Sequence, residues 1–444
     1  MANEIKLSDH FTYGKLLKFT FPSIIMMVVI SVYGVVDGFF VSNFVGKTPF
    51  AAVNFIMPFL MLPMAVGFMI GGGGSALISC TLGEKKPEKA NRIFSLLVYF
   101  SIALGVTIAV IFQIILRPVA IAMGASGQLL EDCITYGRVI ILGIPFNILQ
   151  MEFQTFFVTA EKPRLGLWAT VGSGVANVVL DLLLVAVFPC GLIGAAIATT
   201  MSQVVGGIVP LWYFGRNNTS LLRLGKTNID RHALFKTFTN GSSELVSNIS
   251  MSLVSMLYNI QLLNFAGENG VAAYGTVMYV NLLFLSAFIG HIIGTGPIVG
   301  YHYGAQNHRE LQSLLRKSLV LLGIFATSMV AASLLLARPL SHFFVGYDKE
   351  LYDMTVHGFV IFSFSFFFVG YAMFFSSFFT ALNDGLTSAI LSFLRTLVFQ
   401  VGAVLIMPLL WGIEGIWWSI TVSELAAVIV GLVFLFAKQK KYQY

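Results

Sequence analysis

The sequence predicts an all-α polytopic membrane protein, with twelve transmembrane helices in two six-helix lobes related by a pseudo-twofold axis. Three observations predict it. Of 444 residues, 57% are hydrophobic and only 10% are charged, against about 25% charged in soluble domains. Twelve apolar runs reach the roughly 20 residues a helix needs to cross about 30 Å of hydrocarbon. The chain also matches itself after a shift of 221 residues.

The first six runs lie near 15–41, 51–80, 93–115, 133–160, 165–188 and 192–214, and the second six near 237–264, 271–300, 314–336, 351–380, 387–409 and 413–437. Backbone groups at membrane depth must be bonded within the chain, and no alternating barrel pattern is present, so the runs read as helices. Several exceed the minimum length, so tilt or kinks are expected. The repeat pairs Asn43-Phe44 and Gly46 with Asn264-Phe265 and Gly267, and Gly83 with Gly304. It likewise pairs Arg117-Pro118 with Arg338-Pro339, Thr159-Ala160 with Thr380-Ala381, and Gly191 and Gly194 with Gly412 and Gly415. These are mostly turn and helix-end residues, so what repeats is a frame, as in a transporter built from two halves. Six helices per half is an even number, which makes the repeat parallel. The expected domains are an N-terminal lobe over 1–215, a polar linker over 216–236 and a C-terminal lobe over 237–444.

The net charge of +6 reads as a topology signal. With the N-terminus inside, the inner segments carry twenty Lys and Arg, and the outer ones only Lys47, Arg117, Arg338 and Lys349. Both termini are therefore expected in the cytoplasm of a multi-pass cell-membrane protein. The polar start, residues 1–19, lacks the features of a cleavable signal peptide. Gly46-Lys47-Thr48 is not a phosphate loop, because Val41 stands where the motif needs Gly. Gly71 to Gly74 inside helix 2 reads as a site of close helix packing or of helix flexibility rather than of phosphate binding. His291 and His302 have no third ligand, so no metal site is expected beyond a Na⁺ position considered next. No enzyme motif and no ATPase-sized soluble stretch is present, so energy must come from an ion gradient.

Ionisable residues inside hydrocarbon are expensive and usually have a job. Asp37 lies late in helix 1 and Asp181 in helix 5. Asn177 shares a helix face with Asp181, and Thr199 follows a turn at 188–191. Counting about 1.5 Å per residue from the outer rim puts all four at comparable depth. This all-oxygen set suits Na⁺ or a shared proton. Gln150 and Gln154 share a face of helix 4, which also carries Tyr136, Arg138, Asn147 and Glu152. Glu244 opens helix 7 and is a candidate substrate or cation contact. Arg395 and Glu414 read as structural or interface residues, and Glu424 as a packing residue.

The twelve-helix, two-lobe pattern and the stretch NVVLDLLLVAVFPCGLIGAAIATT resemble the MATE (multidrug and toxic compound extrusion) transporters of the MOP superfamily along the whole chain. The DinF-type, MepA-like branch is the most similar. That branch carries an Asp on helix 1, an Asn and an Asp four apart on helix 5, and a Thr eighteen later on helix 6. The sequence matches with Asp37, Asn177, Asp181 and Thr199. The resemblance implies a conformational hinge at Pro22 and a cavity lined from helix 4. Candidate substrate contacts are then Asp37, Tyr136, Asn147, Gln150, Gln154 and Glu244. A helix-10 acid, the mark of the NorM-type branch, is missing. The expected activity is multidrug export against H⁺ or Na⁺, without a cofactor, by a monomer in the bilayer, on amphipathic and often cationic compounds. A lipid-linked precursor flippase of the same superfamily is the alternative, and a polytopic membrane enzyme a weaker one.

Overall fold

A computed structural model describes residues 5–444 of the chain. Residues 1–4 of the polar N-terminal stretch lie outside the described residues. All regular structure described is helical. The first lobe comprises α1 (Tyr13–Phe40), α2 (Lys47–Leu60 and Leu62–Gly83), α3 (Pro87–Ala122), α4 (Gly127–Leu142 and Ile144–Thr159, bent by 56°), α5 (Pro163–Asp181) and α6 (Gly191–Gly215). Helix Arg231–Gly304 breaks at Gly267 into α7 (231–266) and α8 (268–304). Then come α9 (His308–Val345) and α10 (Lys349–Ser363 and Phe366–Ala381, bent by 46°). The last apolar stretch, Gly385–Tyr442, breaks at Gly412 into α11 (385–411) and α12 (413–442). Among the described residues this gives the twelve expected helices: eight long apolar helices, two bent pairs, and one further crossing from each of the two breaks.

Local chemistry sets the ends. Side-chain oxygens of Thr12, Asp230, Asn307, Asp348 and Asp384 accept the first free N–H groups of α1, α7, α9, α10 and α11, as N-caps do. The repeated turn residues adopt the same unusual backbone. Gly46 and Gly267 both have positive φ (124° and 61°), as do Gly191 and Gly412 (60° and 57°) and Lys85 and Gln306 (60° and 54°). Left-handed geometry favours glycine, which is why this frame was visible in the sequence.

The repeat is not gapless throughout. Gly127 and Lys349 start equivalent helices, as do Pro163 and Gly385, and both pairs differ by 222. The second lobe therefore carries one extra residue over α10 and early α11, and the 221 spacing returns at Gly191 and Gly412. Asn177 and Asp181 then correspond to Phe399 and Ala403 rather than to Val398 and Gly402. All four are apolar, so the Asn177 and Asp181 oxygens have no counterpart under either register.

Both termini lie at one end of the molecule, where His10 meets Glu310 and Gln312 meets Gln443. The lobes meet in the half nearer that end. Gly73 and Gly241 let α2 and α7 touch backbone to backbone, and Gly83 and Gly304 do the same for α2 and α8. This bears out the packing role of the glycine run. On either side of Pro22, α1 leans on α8: Thr20 lies against Gly294 and Ile24 against Gly290. The highest of these contacts is Ser31 Oγ to Ser286 Oγ, 2.6 Å. The cores follow the same division. Two clusters at the termini end mix residues of both lobes, such as Phe11 and Phe19 with Phe288 and Phe375, and Ile70 and Phe94 with Ala233. At the far end one cluster, around Val41, Ala52 and Ile141, belongs wholly to the first lobe, and another, around Tyr258, Tyr274 and Trp417, wholly to the second. The lobes therefore close at the termini end and separate toward the other.

Candidate functional site

Asp37 sits six residues beyond Ser31 on α1, so about 9 Å above the highest lobe contact at 1.5 Å per residue. Thr199 Oγ1 of α6 donates to Asp37 Oδ1 at 3.1 Å. Asp181 and Asn177 of α5 face the same carboxylate closely enough to interact with it. Asp181 is fully buried and Asn177 nearly so, yet both Asp181 oxygens and the Asn177 carbonyl oxygen lack a hydrogen-bond partner. No lysine or arginine among the described residues pairs with either carboxylate. The four residues singled out by spacing are thus brought together from three helices.

A backbone irregularity helps place them. A π-helical turn, Val41–Val45, follows α1 four residues after Asp37, and another, Leu182–Val187, follows α5 directly after Asp181. Such turns swing carbonyls and side chains off the regular register and occur often at functional sites. No residue pattern announces them, because an i→i+5 bond demands no particular residue type.

Behind the site runs a hydrogen-bonded chain across α4, α5 and α6. Gln150 Nε2 donates to Ser173 Oγ at 3.0 Å, Ser173 Oγ to the Ser202 carbonyl at 2.7 Å, and Ser202 Oγ to the Thr199 carbonyl at 2.8 Å. Gly206 makes room for Gln150, since an added Cβ would meet its amide at 2.6 Å. Tyr136 is buried, with its hydroxyl within reach of Thr199. Asn147 is partly buried. Gln154 is buried with its carbonyl oxygen unpartnered, its amide directed at Met151 Sδ, 3.7 Å away. Glu152, on the same helix, is fully buried with neither oxygen hydrogen-bonded.

Glu244 is not part of this group. It stands on α7 against Gly72 of the other lobe and within electrostatic range of Arg395. The residues that sequence reasoning set aside form a second polar centre there. Arg395 Nε reaches both Glu424 oxygens (3.1 and 2.8 Å), Nη2 reaches Oε1 (2.8 Å), and Gln400 Nε2 donates to the same oxygen at 2.7 Å. Arg395 and Gln400 ride a third π-helical turn, Leu394–Gln400. Glu414 instead pairs at the surface with His357, 2.6 Å. The signal that was available was a pair of opposite charges at similar depth in the last two apolar runs.

Chemically, the first-lobe group is two adjoining carboxylates, an amide oxygen and a hydroxyl. An unmade hydrogen bond on a buried polar atom costs about 1–3 kcal/mol, and three such atoms lie on α5 beside Asp37. Two carboxylates in contact without a cation hold a proton between them or attract one cation.

The family profile described as MatE matches residues 22–183 and 245–405, one block in each lobe. The Multidrug export protein MepA of Staphylococcus aureus (strain MSSA476) is 23% identical over 435 residues, covering 96% of this chain and 93% of the relative. A crystal structure of MATE in complex with MaL6 superposes with a TM-score of 0.93 at 24% identity, covering 100% of both chains. A multidrug resistance MATE family transporter of the MOP superfamily in an outward-facing conformation gives the same TM-score and identity, covering 100% of this chain and 99% of that one.

Proposed function

This chain belongs to the MatE family, a family of multi-pass membrane transporters and not of enzymes, and from that premise we propose that it exports amphipathic, often cationic, organic compounds in exchange for H⁺ or Na⁺. The reading places it in the DinF-type branch with the MepA-like drug exporters. Its working parts are the lobes 1–215 and 237–444, joined by 216–236, in a cell membrane with both termini in the cytoplasm. With that orientation the lobes part toward the outside. The observation that carries the proposal is the cluster of unpartnered oxygens of Asp181 and Asn177 against the Asp37–Thr199 hydrogen bond.

The coupling ion, as a transported substrate, enters from the outer cleft. It is held by Asp37 and Asp181, with Asn177 and Thr199 completing the oxygen set. Binding neutralises the lobe. Helix α1 then yields at Pro22, which cannot bond to the carbonyl one turn back and stands where α1 leans on Gly290 and Gly294. Drug and ion prefer opposite states, and this opposition is the coupling free energy. Asp37, Tyr136, Asn147, Gln154 and, from the other lobe, Glu244 are the substrate contacts. Gln150 contributes through its bond to Ser173 as much as by facing the cavity. A cavity with a few carboxylates among apolar and aromatic walls favours organic cations. Dye efflux from cells expressing Asp37→Asn or Asp181→Asn tests the reading. Efflux should fall to the background of cells lacking the protein, whereas wild-type efflux in well-expressed mutants rules this ion site out.

A further inference from the structure

We propose that Arg395 is a tethered cation: in the second lobe its guanidinium permanently takes the part that a mobile ion takes in the first, and so confines ion coupling to one lobe. The inference rests on the coupling role proposed for Asp37 and Asp181.

The first lobe buries Asp181 beside Asp37, with Glu152 apart from them on α4, and the second buries Glu424, with Glu244 within electrostatic range of Arg395. They differ in what neutralises them. Asp181 has no partner for either oxygen, whereas Glu424, equally buried, receives three contacts from Arg395 and one from Gln400. In each lobe a carboxylate is served by an irregular turn: Leu182–Val187 begins beside Asp181, and Leu394–Gln400 presents Arg395 and Gln400 to Glu424. With the 222 spacing that holds at the start of α11, Arg395 stands where α5 has Ser173, four residues before Asn177. The side chain therefore leaves its helix one turn from the place where the first lobe keeps its ion oxygens.

Two carboxylates act on the guanidinium, one in direct contact and one at longer range. Glu244 approaches it from α7 and Glu424 from α12. Tyr258, which the 221 spacing pairs with Asp37, lies on α7 within electrostatic range of Glu424, and its hydroxyl has no hydrogen-bond partner. Tyr274 of α8 stacks on Tyr258, ring centroids 5.1 Å apart. Without the guanidinium, Glu424 is a fully buried carboxylate whose remaining contact is the Gln400 amide N–H, with the Tyr258 phenol within electrostatic range. A buried carboxylate stripped of its ion pair takes up a proton or attracts a monovalent cation such as Na⁺. Arg cannot lose its proton in a protein, so the second lobe keeps its charge through the whole cycle and does not respond to the gradient.

The test counts cations in purified full-length protein, as bound ²²Na⁺ and as protons taken up on acidification. Arg395→Gln should hold one more cation per chain than wild type, and the gain should vanish in Arg395→Gln/Glu424→Gln. Arg395→Lys, which keeps a tethered charge, should gain none. Asp181→Asn, measured in parallel, should lose the first-lobe cation. A folded Arg395→Gln protein with the wild-type count overturns the inference while leaving the first-lobe site standing. Equal counts in wild type and Asp181→Asn, with the Arg395→Gln gain still present, overturn the first-lobe site instead. Should Arg395→Gln not yield folded protein, Arg395→Lys decides: a wild-type count supports the tethered cation, and a gained one contradicts it.

Discussion

The two lobes share a helical frame down to the left-handed φ of Gly46 and Gly267 and of Gly191 and Gly412, yet treat buried charge in opposite ways. The first leaves its carboxylates short of partners. The second closes Glu424 into a three-contact ion pair with Arg395, to which Gln400 adds a hydrogen bond. Unsatisfied buried oxygens cost free energy, and a proton or cation held between Asp37 and Asp181 would offset it. The repeat thus supplies a common scaffold whose symmetry is broken in its buried charges, and under the proposed function that break separates an ion-exchanging lobe from a supporting one.

Stability should therefore respond with opposite signs. Glu424→Ala leaves Arg395 buried without its main partner and should cost about 3–5 kcal/mol. Asp181→Asn removes an unpaired carboxylate and should be neutral or stabilising by about 1–3 kcal/mol. Thermal unfolding of the two purified variants reads both, and equal destabilisation would break the comparison.

The interface between the lobes comes next. Gly241→Leu drives a side chain into the Met69 backbone and should cost about 1–3 kcal/mol of lobe contact. Spin-label distances across the termini end should lengthen, and an unchanged distribution would show that this contact does not hold the lobes.

Away from the membrane interior, Asp384 caps α11 and accepts from Lys438 Nζ (2.7 Å), Thr387 Oγ1 (2.7 Å) and Tyr442 Oη (2.8 Å). Burial alone would raise its pKa, but these donors outweigh burial and hold it down at about 2. A depressed carboxyl stabilises the fold above its ordinary value of 3.8 and loses that contribution as pH falls toward about 2. The linkage is at most about 2 kcal/mol. Asp384→Asn should thus lower the Tm at pH 7, with the gap to wild type closing as the pH is taken from 4 toward 2. A gap independent of pH would remove the charge from the explanation. The smallest effect belongs to Ser286→Ala, which deletes the Ser31 hydrogen bond at mid-depth and should cost about 1 kcal/mol, seen as a slight shift of the same distance distribution.

The frame and the first-lobe site were legible in the sequence for one physical reason. Both rest on residue types that membranes make conspicuous, turn glycines between apolar runs and carboxylates inside them. Asp37 and Thr199 meet as the depth count expected. Three features were hidden. The π-helical turns leave no compositional trace. The extra residue over α10 and α11 is masked because Thr380-Ala381 still aligns with Thr159-Ala160 at 221. Arg395 and Glu424 lie 29 residues apart on different helices, so only the folded chain shows that they pair and that Glu424 is more than a packing residue.

The central claim is that ion coupling resides in the first lobe alone. It is tested most directly by drug efflux from proteoliposomes under separately imposed Na⁺ and pH gradients, comparing wild type, Asp181→Asn and Arg395→Lys. One of the two gradients should drive wild type and Arg395→Lys alike, while Asp181→Asn should respond to neither. Gradient-driven efflux by Asp181→Asn, together with its loss in Arg395→Lys, would contradict it.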